Sequence, residues 1–463
     1  MKASVIITLL NKNIVTARLF ATMSLLLISN NFIIAQNSSY NANSVPIGGT
    51  FSVAFGYQSL TSNNGANNTA SGAYSLNSNS SGQSNCAYGT SALRLNLSGS
   101  YNTATGHNAL YYTTGSYNTA NGYNSLFYNS SGIDNTATGS SSLYSNTTGS
   151  NNTANGYYSL FNNSTGVDNT STGGISLSSN TTGSYNTANG AFTLNFNTTG
   201  NYNTANGYYA LRGNTTGIIN TANGAFALYS NTTGSENTAN GANALNFNTT
   251  GNYNTAYGAF ALAENSTGYA NTALGKHALR FNTGGNNNTA VGISAGFNSK
   301  GIGNIFLGSG AGYNEQSRDN QLYIGNASNR TIIYGNIASG QILLGNPDPT
   351  GYNFIGNRTL NVLGGIIADS IRVALSGSWS DYVFADDYKL RSLNELENYI
   401  KTNKHLPDIP CADEVAKNGI EVANMNAKIL EKIEELHLYI LQQQKQIDIQ
   451  QKQIDELKLL MQR

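Results

Sequence analysis

One serine has a spacing typical of catalysis. Ser294 is the centre of the segment Gly292-Ile293-Ser294-Ala295-Gly296, which matches the Gly-x-Ser-x-Gly pattern of nucleophilic serines. That chemistry needs a sharp turn between a strand and a helix, which exposes the serine hydroxyl. The surrounding sequence predicts no helix, and Gly292 belongs to a repeat found along most of the chain. We therefore interpret the match as coincidental.

The other candidate groups also lack a catalytic arrangement. The run from Gly308 to Gly312 is rich in glycine, but no strand-helix-strand unit follows it, as dinucleotide binding would require. His107, His277, His405 and His437 do not have metal-ligand spacing, and Cys86 and Cys411 are isolated. We expect no enzymatic activity, no cofactor and no bound metal.

The chain is instead organised by a nine-residue phrase, Asn-Thr-Ala-x-Gly-x-x-small-Leu, followed by a polar loop with a second glycine. The first glycine recurs every 16 or 17 residues, and in most copies a leucine follows it by four. A fixed period near 20 residues is typical of repeat architectures. The first glycines are Gly56, Gly72, Gly89, Gly106, Gly122, Gly139, Gly156, Gly173, Gly190, Gly207, Gly224, Gly241, Gly258, Gly275 and Gly292.

The repeat predicts a β-solenoid. Its alanine, glycine and leucine share parity, so an extended chain would place them on one face, and the loops consist of turn-forming residues. A single leucine per coil is a thin core, so we expect other chains to complete it. Charged residues are only 10% of the chain and the net charge is zero, which argues against nucleic acid or an anionic membrane as partner.

These phrases resemble the head repeats of trimeric autotransporter adhesins over roughly residues 51–312. The resemblance implies a mainly β protein, a left-handed parallel β-roll solenoid wound by three identical chains, and a role in adhesion at the cell surface. The heads of that family generally use shorter repeats, so the additional residues here are expected to lengthen an outer loop.

The sequence divides into six segments. Residues 1–35 read as a signal peptide, because lysines and an arginine precede an apolar run that ends near Ala35; a short membrane anchor is the alternative. A linker (36–50), about 15 repeats (51–312), a β neck (313–378), a connector with short helices (379–422) and a coiled coil (423–463) follow. We expect an exported protein, extracellular or at the cell surface, with no membrane anchor of its own.

The last segment has the heptad pattern of a coiled coil. Its a positions include isoleucines, and two glutamines interrupt the d positions. The heptads leave dimer and trimer open, while the head resemblance favours a homotrimer. The residues expected to pair the chains are Ile429, Ile433, Leu436, Ile440, Gln443, Ile447, Gln450, Ile454 and Leu457.

Binding is predicted on the surface of the repeats. Six aromatic residues lie two positions after a repeat glycine: Tyr74, Tyr158, Phe192, Tyr209, Phe226 and Phe260. Stacked one per coil, they would form ladders with a structural role. If exposed, the same ladders could stack on sugar rings. The expected partner is an extracellular glycan or a matrix or cell-surface protein. One alternative is an ice-binding solenoid. Another is a phage-fibre-like protein whose chaperone tail cleaves itself at Ser380, although the residues after Ser380 depart from that family's pattern.

Overall fold

The computed structural model describes residues 37–40, 51–326, 330–345, 354, 358–373 and 379–462. The predicted signal peptide lies outside the described residues, as does the linker apart from a first strand. The chain divides into two compact units, residues 1–365 and 366–463. Among the described residues, none of the helices combines the length and the hydrophobicity needed to span a bilayer.

Unit 1 is a parallel β-solenoid, which confirms the predicted fold class. Each coil contributes one short strand that pairs in parallel with the strand one coil away, from β1 to β20. The strands are β1 (Asn37–Tyr40), β2 (Ser52–Phe55), β3 (Thr69–Ser71), β4 (Cys86–Tyr88), β5 (Leu95–Asn96), β6 (Thr103–Thr105), β7 (Tyr112–Thr113), β8 (Thr119–Asn121), β9 (Thr136–Thr138), β10 (Thr153–Asn155), β11 (Thr170–Thr172), β12 (Thr187–Asn189), β13 (Thr204–Asn206), β14 (Thr221–Asn223), β15 (Thr238–Asn240), β16 (Thr255–Tyr257), β17 (Thr272–Leu274), β18 (Thr289–Val291), β19 (Ile305–Leu307), β20 (Gln321–Gly325), β21 (Thr331–Asn336), β22 (Gln341–Leu344) and β23 (Leu360–Val362). Strands β5 and β7 form a separate two-stranded sheet.

The strand in each coil is shorter than the sequence suggested. In the coil that begins at β13, only Thr204–Asn206 is extended, and Gly207 follows with φ +130°. Tyr209 and Leu211 then adopt left-handed φ values of 59° and 52°. The leucine therefore points inward because the chain turns through left-handed residues, and not because it shares strand parity with the alanine.

A single chain buries its own core. The repeat leucines and the strand alanines are fully buried, and the small residue before each leucine is buried with them. The expectation that other chains must bury these leucines is wrong. Much of the remaining space inside the coil is filled by asparagine.

One asparagine per coil forms what we term the inner asparagine row, which runs along the solenoid. Asn203 shows the pattern: its backbone N–H and its Nδ2 both donate to Oδ1 of Asn186, at 3.0 and 3.2 Å, and its Nδ2 also donates to the Gly217 carbonyl at 2.9 Å. Each amide is buried yet fully hydrogen-bonded, so its burial carries little penalty. The row consists of Asn68, Asn85, Asn102, Asn118, Asn135, Asn152, Asn169, Asn186, Asn203, Asn220, Asn237, Asn254, Asn271, Asn288 and Asn304.

A second asparagine in most coils forms the loop asparagine row. Here Asn163 Nδ2 donates to Asn146 Oδ1 at 2.8 Å and to the Gly166 carbonyl at 3.0 Å. The row consists of Asn63, Asn79, Asn96, Asn129, Asn146, Asn163, Asn180, Asn197, Asn214, Asn231, Asn248, Asn265 and Asn282, all buried. Thr113 interrupts it in a 16-residue coil, and Oδ1 of Asn96 has no hydrogen-bond partner among the described residues.

We expect Thr113→Asn to raise the free energy of unfolding by about 1 kcal/mol, because its amide can donate to the buried oxygen of Asn96. Asn63 shows that asparagine fits this position in a 16-residue coil, where its Nδ2 donates to the Gly65 carbonyl at 2.9 Å. Urea unfolding of the full chain measures the effect. Thr153→Asn, the same change at an exposed strand position, is the control. Equal stability of the two variants would contradict this account.

Aromatic side chains fill the core at the C-terminal end of the solenoid. Phe306 replaces the strand alanine, and Gly296 and Gly312 stand where other coils have leucine. A Cβ on Gly296 would lie 2.6 Å from the Phe306 ring, so the glycines make room for it. Tyr323 stacks on Phe306 with ring centroids 5.4 Å apart. Strands β20, β21 and β22 then pair antiparallel, which ends the solenoid.

Unit 2 contains one short 3-10 helix (Ser380–Phe384) and three α-helices: α1 (Leu393–Asn403), α2 (Ala412–Asn418) and α3 (Val422–Met461). Helix α1 begins with a capping box, since Ser392 Oγ accepts a hydrogen bond from the Glu395 N–H. Lys432 binds Glu431 at 2.8 Å and Glu435 at 3.1 Å. Burial alone would lower the pKa of Lys432, but these hydrogen bonds raise it.

Two tyrosines fasten the segment before α1 to the first half of α3. Tyr382 donates a hydrogen bond to Glu431 at 2.7 Å, and Tyr388 donates one to Glu435 at 2.5 Å. The bond to Glu431 raises the pKa of Tyr382 to about 12, and burial together with the bond to Glu435 raises the pKa of Tyr388. These contacts occupy one face of α3 near its start.

Candidate functional site

The groups with catalytic potential are dispersed in the structure. Ser294 lies in a left-handed turn with φ 56° and is half-buried, in a solenoid coil rather than between a strand and a helix. His277 stacks on Phe260 with centroids 5.3 Å apart, and burial and the nearby Arg280 lower its pKa. Within the described ranges, no three His, Cys, Asp or Glu side chains come together as a metal site.

The six predicted aromatics occupy the left-handed position two residues after the repeat glycine and are half-buried. The structure brings three of them together on successive coils: Phe192 stacks on Tyr209 at 4.9 Å, and Tyr209 on Phe226 at 5.5 Å. Tyr74, Tyr158 and Phe260 lie on separate coils. Tyr158 stacks instead on Phe161 of its own coil, at 4.6 Å.

More exposed aromatics lie in a row that the sequence analysis did not single out. Five coils have a tyrosine immediately before the inner asparagine, and these residues form the outer tyrosine row: Tyr101, Tyr117, Tyr185, Tyr202 and Tyr253. Tyr101 and Tyr117 stack at 5.0 Å with their planes 4° apart, and Tyr185 and Tyr202 at 4.8 Å with planes 1° apart. About half of each side chain is exposed. Aligning the repeats on their 17-residue period would have revealed these tyrosines from the sequence, since they all occupy one repeat position.

Comparison with protein-family models, with curated proteins and with solved structures finds no match for this chain.

The arginines of the solenoid occupy another repeat position, directly after the core leucine. The guanidinium of Arg212 lies 4.7 Å from the Phe196 ring centroid and 5.3 Å from that of Tyr209. Arg280 lies 5.1 Å from the centroids of both Phe260 and Phe281. Such cation–π contacts stabilise the local surface. These cations therefore already have aromatic partners in their own coil and in the preceding one.

The outer face of the solenoid strands displays threonine. Most strands begin with Thr and end with Thr or Asn, and the residue between them is buried. The register aligns equivalent residues, as in Thr136↔Thr153 and Thr138↔Asn155. Neighbouring strands place these side chains about 4.8 Å apart, and alternate residues of a strand about 6.8 Å apart. The result is a regular two-dimensional array of hydroxyl and amide groups.

Helix α3 carries the predicted pairing residues on one exposed stripe. Ile440, Ile447, Ile454 and Leu457 are each about half exposed in the single chain. Nearer the start of the helix, Ile429, Ile433 and Leu436 line a cavity of about 330 Å³ together with Leu406 and Ile409 of the connector. Gln443 and Gln450 lie on the exposed stripe.

Proposed function

We propose that the chain is an exported, trimeric fibrous protein that binds extracellular glycans or surface proteins along its repeats, and that it has no catalytic activity. The observation that carries this proposal is the outer tyrosine row, which presents stacked and half-exposed rings on a rigid surface. Large aromatic rings supply contact area at little entropic cost. The resemblance of the repeat phrases to trimeric adhesin heads supports the same function.

The charge distribution fits a binding rod. Between residues 37 and 300 we count nine charged side chains, so contact with a partner depends on rings, hydroxyls and amides. Export accords with the apolar run near the N-terminus. Binding of the full chain to immobilised glycans and purified matrix proteins tests the proposal, with the double variant Tyr185→Ala/Tyr202→Ala for comparison. A chain that binds none of these surfaces would refute it.

The trimer proposal depends on the exposed stripe of α3. A helix in water does not leave a long row of isoleucines exposed without cost, and three copies can bury this row in a coiled coil. Light scattering on the full chain should return about three times the single-chain mass of 49.0 kDa. A single-chain mass would contradict the proposal.

A matched pair of substitutions tests the stripe itself. Ile447 and Ile449 are 55% and 56% exposed in the single chain, but only Ile447 is at an a position. We expect Ile447→Asp to shift the assembly toward single chains, because three carboxylates would meet at the core of the coiled coil. Ile449→Asp should keep the wild-type mass. Equal masses for the two variants would show that the stripe does not join the chains.

A second candidate function is ice binding, favoured by the threonine array on the strand face. The strands carry this array on their outer face. A flat, regular set of hydroxyls can order water at its surface. Thermal hysteresis in a cooled solution of the full chain would support this function, and its absence would remove it.

A further inference from the structure

We propose that a groove on the solenoid between residues 95 and 147 binds a neutral oligosaccharide. This inference rests on the proposed function and names the ligand class of one site. The groove has a volume of about 570 Å³ and crosses four coils. Two rows of equivalent residues line it, which we call its walls: Leu95, Tyr112, Tyr128 and Ser145 in one, and Leu97, Thr114, Ser130 and Thr147 in the other.

A short coil lies at the centre of this groove. The step from Gly106 to Gly122 is 16 residues, and the missing residue lies between the core leucine and the second glycine. A second cavity, of about 440 Å³, lies between the same two repeat positions at another 16-residue step, from Gly292 to Gly308. A cavity thus accompanies two of the three 16-residue steps, the third being Gly56 to Gly72, and we infer that a shortened loop lowers the surface between its longer neighbours.

The tyrosines of the groove are arranged to receive a sugar ring. The rings of Tyr112 and Tyr128 lie 5.7 Å apart with planes inclined by 14°, and they are 42% and 45% exposed. The backbone beneath them is fixed, because strands β5 and β7 pair there and an isolated bridge joins Tyr112 to Tyr128. A rigid aromatic platform of this kind can stack on the C–H face of a pyranose.

The opposite wall complements the hydroxyl edge of the same ligand. Thr114 Oγ1 donates to the Ser130 carbonyl at 2.8 Å, and Thr147 Oγ1 donates to the Ser164 carbonyl at 2.8 Å. Their hydroxyl oxygens keep lone pairs that can accept hydrogen bonds from a sugar.

Charge separates this groove from the second cavity. All the side chains that line the groove at Tyr112 are uncharged, whereas Glu264 and Lys300 line the other cavity. A neutral groove offers nothing to offset the desolvation of an anionic or cationic ligand. Three steps between coils span about 14 Å, which suits a short run of linked sugars. Neutral oligosaccharides are therefore the class that the groove fits.

Calorimetric titration of the full chain with cellohexaose, mannohexaose, xylohexaose, maltohexaose and chitohexaose tests the inference. We expect at least one of these probes to bind, and Tyr128→Ala to weaken that binding about tenfold through loss of the ring contact. Tyr257→Ala is the matched control: this ring is 44% exposed, close to the 45% of Tyr128, and lies at the end of β16, outside the groove and the outer tyrosine row. It should leave the affinity unchanged.

A second variant addresses the origin of the groove. Inserting one serine between Thr114 and Gly115 restores the 17-residue length, and it should abolish oligosaccharide binding while the circular dichroism of the solenoid is retained. Unchanged binding by Tyr128→Ala would overturn the inference, as would the failure of all five probes. If the chain still binds a matrix protein, or if only the double variant Tyr185→Ala/Tyr202→Ala loses binding, the proposed function survives without this site. Binding to no surface at all removes both.

Discussion

Gly207→Ala is expected to destabilise the solenoid by about 3 kcal/mol or more. Gly207 has φ +130°, a backbone conformation that is strained for any residue with a side chain. A Cβ built on it would also lie 2.8 Å from the carbonyl carbon and oxygen of Gly224 on the next coil. Because that neighbour is backbone, the clash can be relieved only by separating two coils. Urea unfolding of the full chain, followed by circular dichroism, measures the loss.

Gly174→Ala provides a control of identical chemistry. Its Cβ would meet no atom within 4 Å, and its φ does not lie in the left-handed region. The substitution should be neutral or stabilising by up to about 1 kcal/mol, because alanine restricts the unfolded chain. If the two variants lose equal stability, close contact between repeat glycines is not what holds adjacent coils together.

Asn203→Ala is expected to cost about 3 to 5 kcal/mol, because it removes one link of the inner asparagine row. Oδ1 of Asn203 accepts from both the backbone N–H and the Nδ2 of Asn220, at 3.0 and 3.2 Å. Truncation leaves that N–H without its acceptor. The Gly217 carbonyl and Oδ1 of Asn186 each lose one hydrogen bond, but they keep those from Asn214 Nδ2 and from the backbone N–H of residue 203, both at 3.0 Å. All these groups are buried and away from water.

The exposed Asn155→Ala on the strand face is the control for this effect, and it should change the stability by less than about 0.5 kcal/mol. The two variants delete the same amide, so their difference isolates the buried hydrogen bonds. A similar urea midpoint for both would mean that the inner row does not contribute to stability. A large loss in Asn203→Ala alone would show that amides hold the coils in register.

The period, the glycines and the leucines were sufficient to predict a parallel solenoid. The interior was harder to predict, because an asparagine such as Asn203 or Asn163 is usually read as a turn former. Burial of this amide is favourable only when adjacent coils have an asparagine at the same position, because each amide then hydrogen-bonds to the next one at the spacing of adjacent strands. Similarly, Leu211 reaches the core through a left-handed turn that nothing in its own chemistry indicates.

The candidate binding surfaces were predicted in part. The position predicted to bind, two residues after the repeat glycine, carries half-buried rings such as Phe192. The more exposed Tyr185 occupies a different repeat position. The groove at Tyr112 depends on one missing residue. Its shape arises because the loop of this coil is one residue shorter than the loops of the neighbouring coils. The stripe on α3 could be predicted from the heptad pattern, since that pattern depends only on the spacing of residues along a single helix.

The inner asparagine row has a consequence for how such a protein changes over generations. Each amide bonds only to the coils directly before and after it, so a duplicated or deleted coil finds all its partners already in place. Rod length can thus vary by whole coils without new compensating mutations. The aromatic end at Phe306 and Tyr323 is different, because its residues are fitted to one another: Tyr323 stacks on Phe306, and the glycines Gly296 and Gly312 leave room for the Phe306 ring. We infer that the number of coils can change readily during evolution, whereas the residues at the C-terminal end of the solenoid cannot.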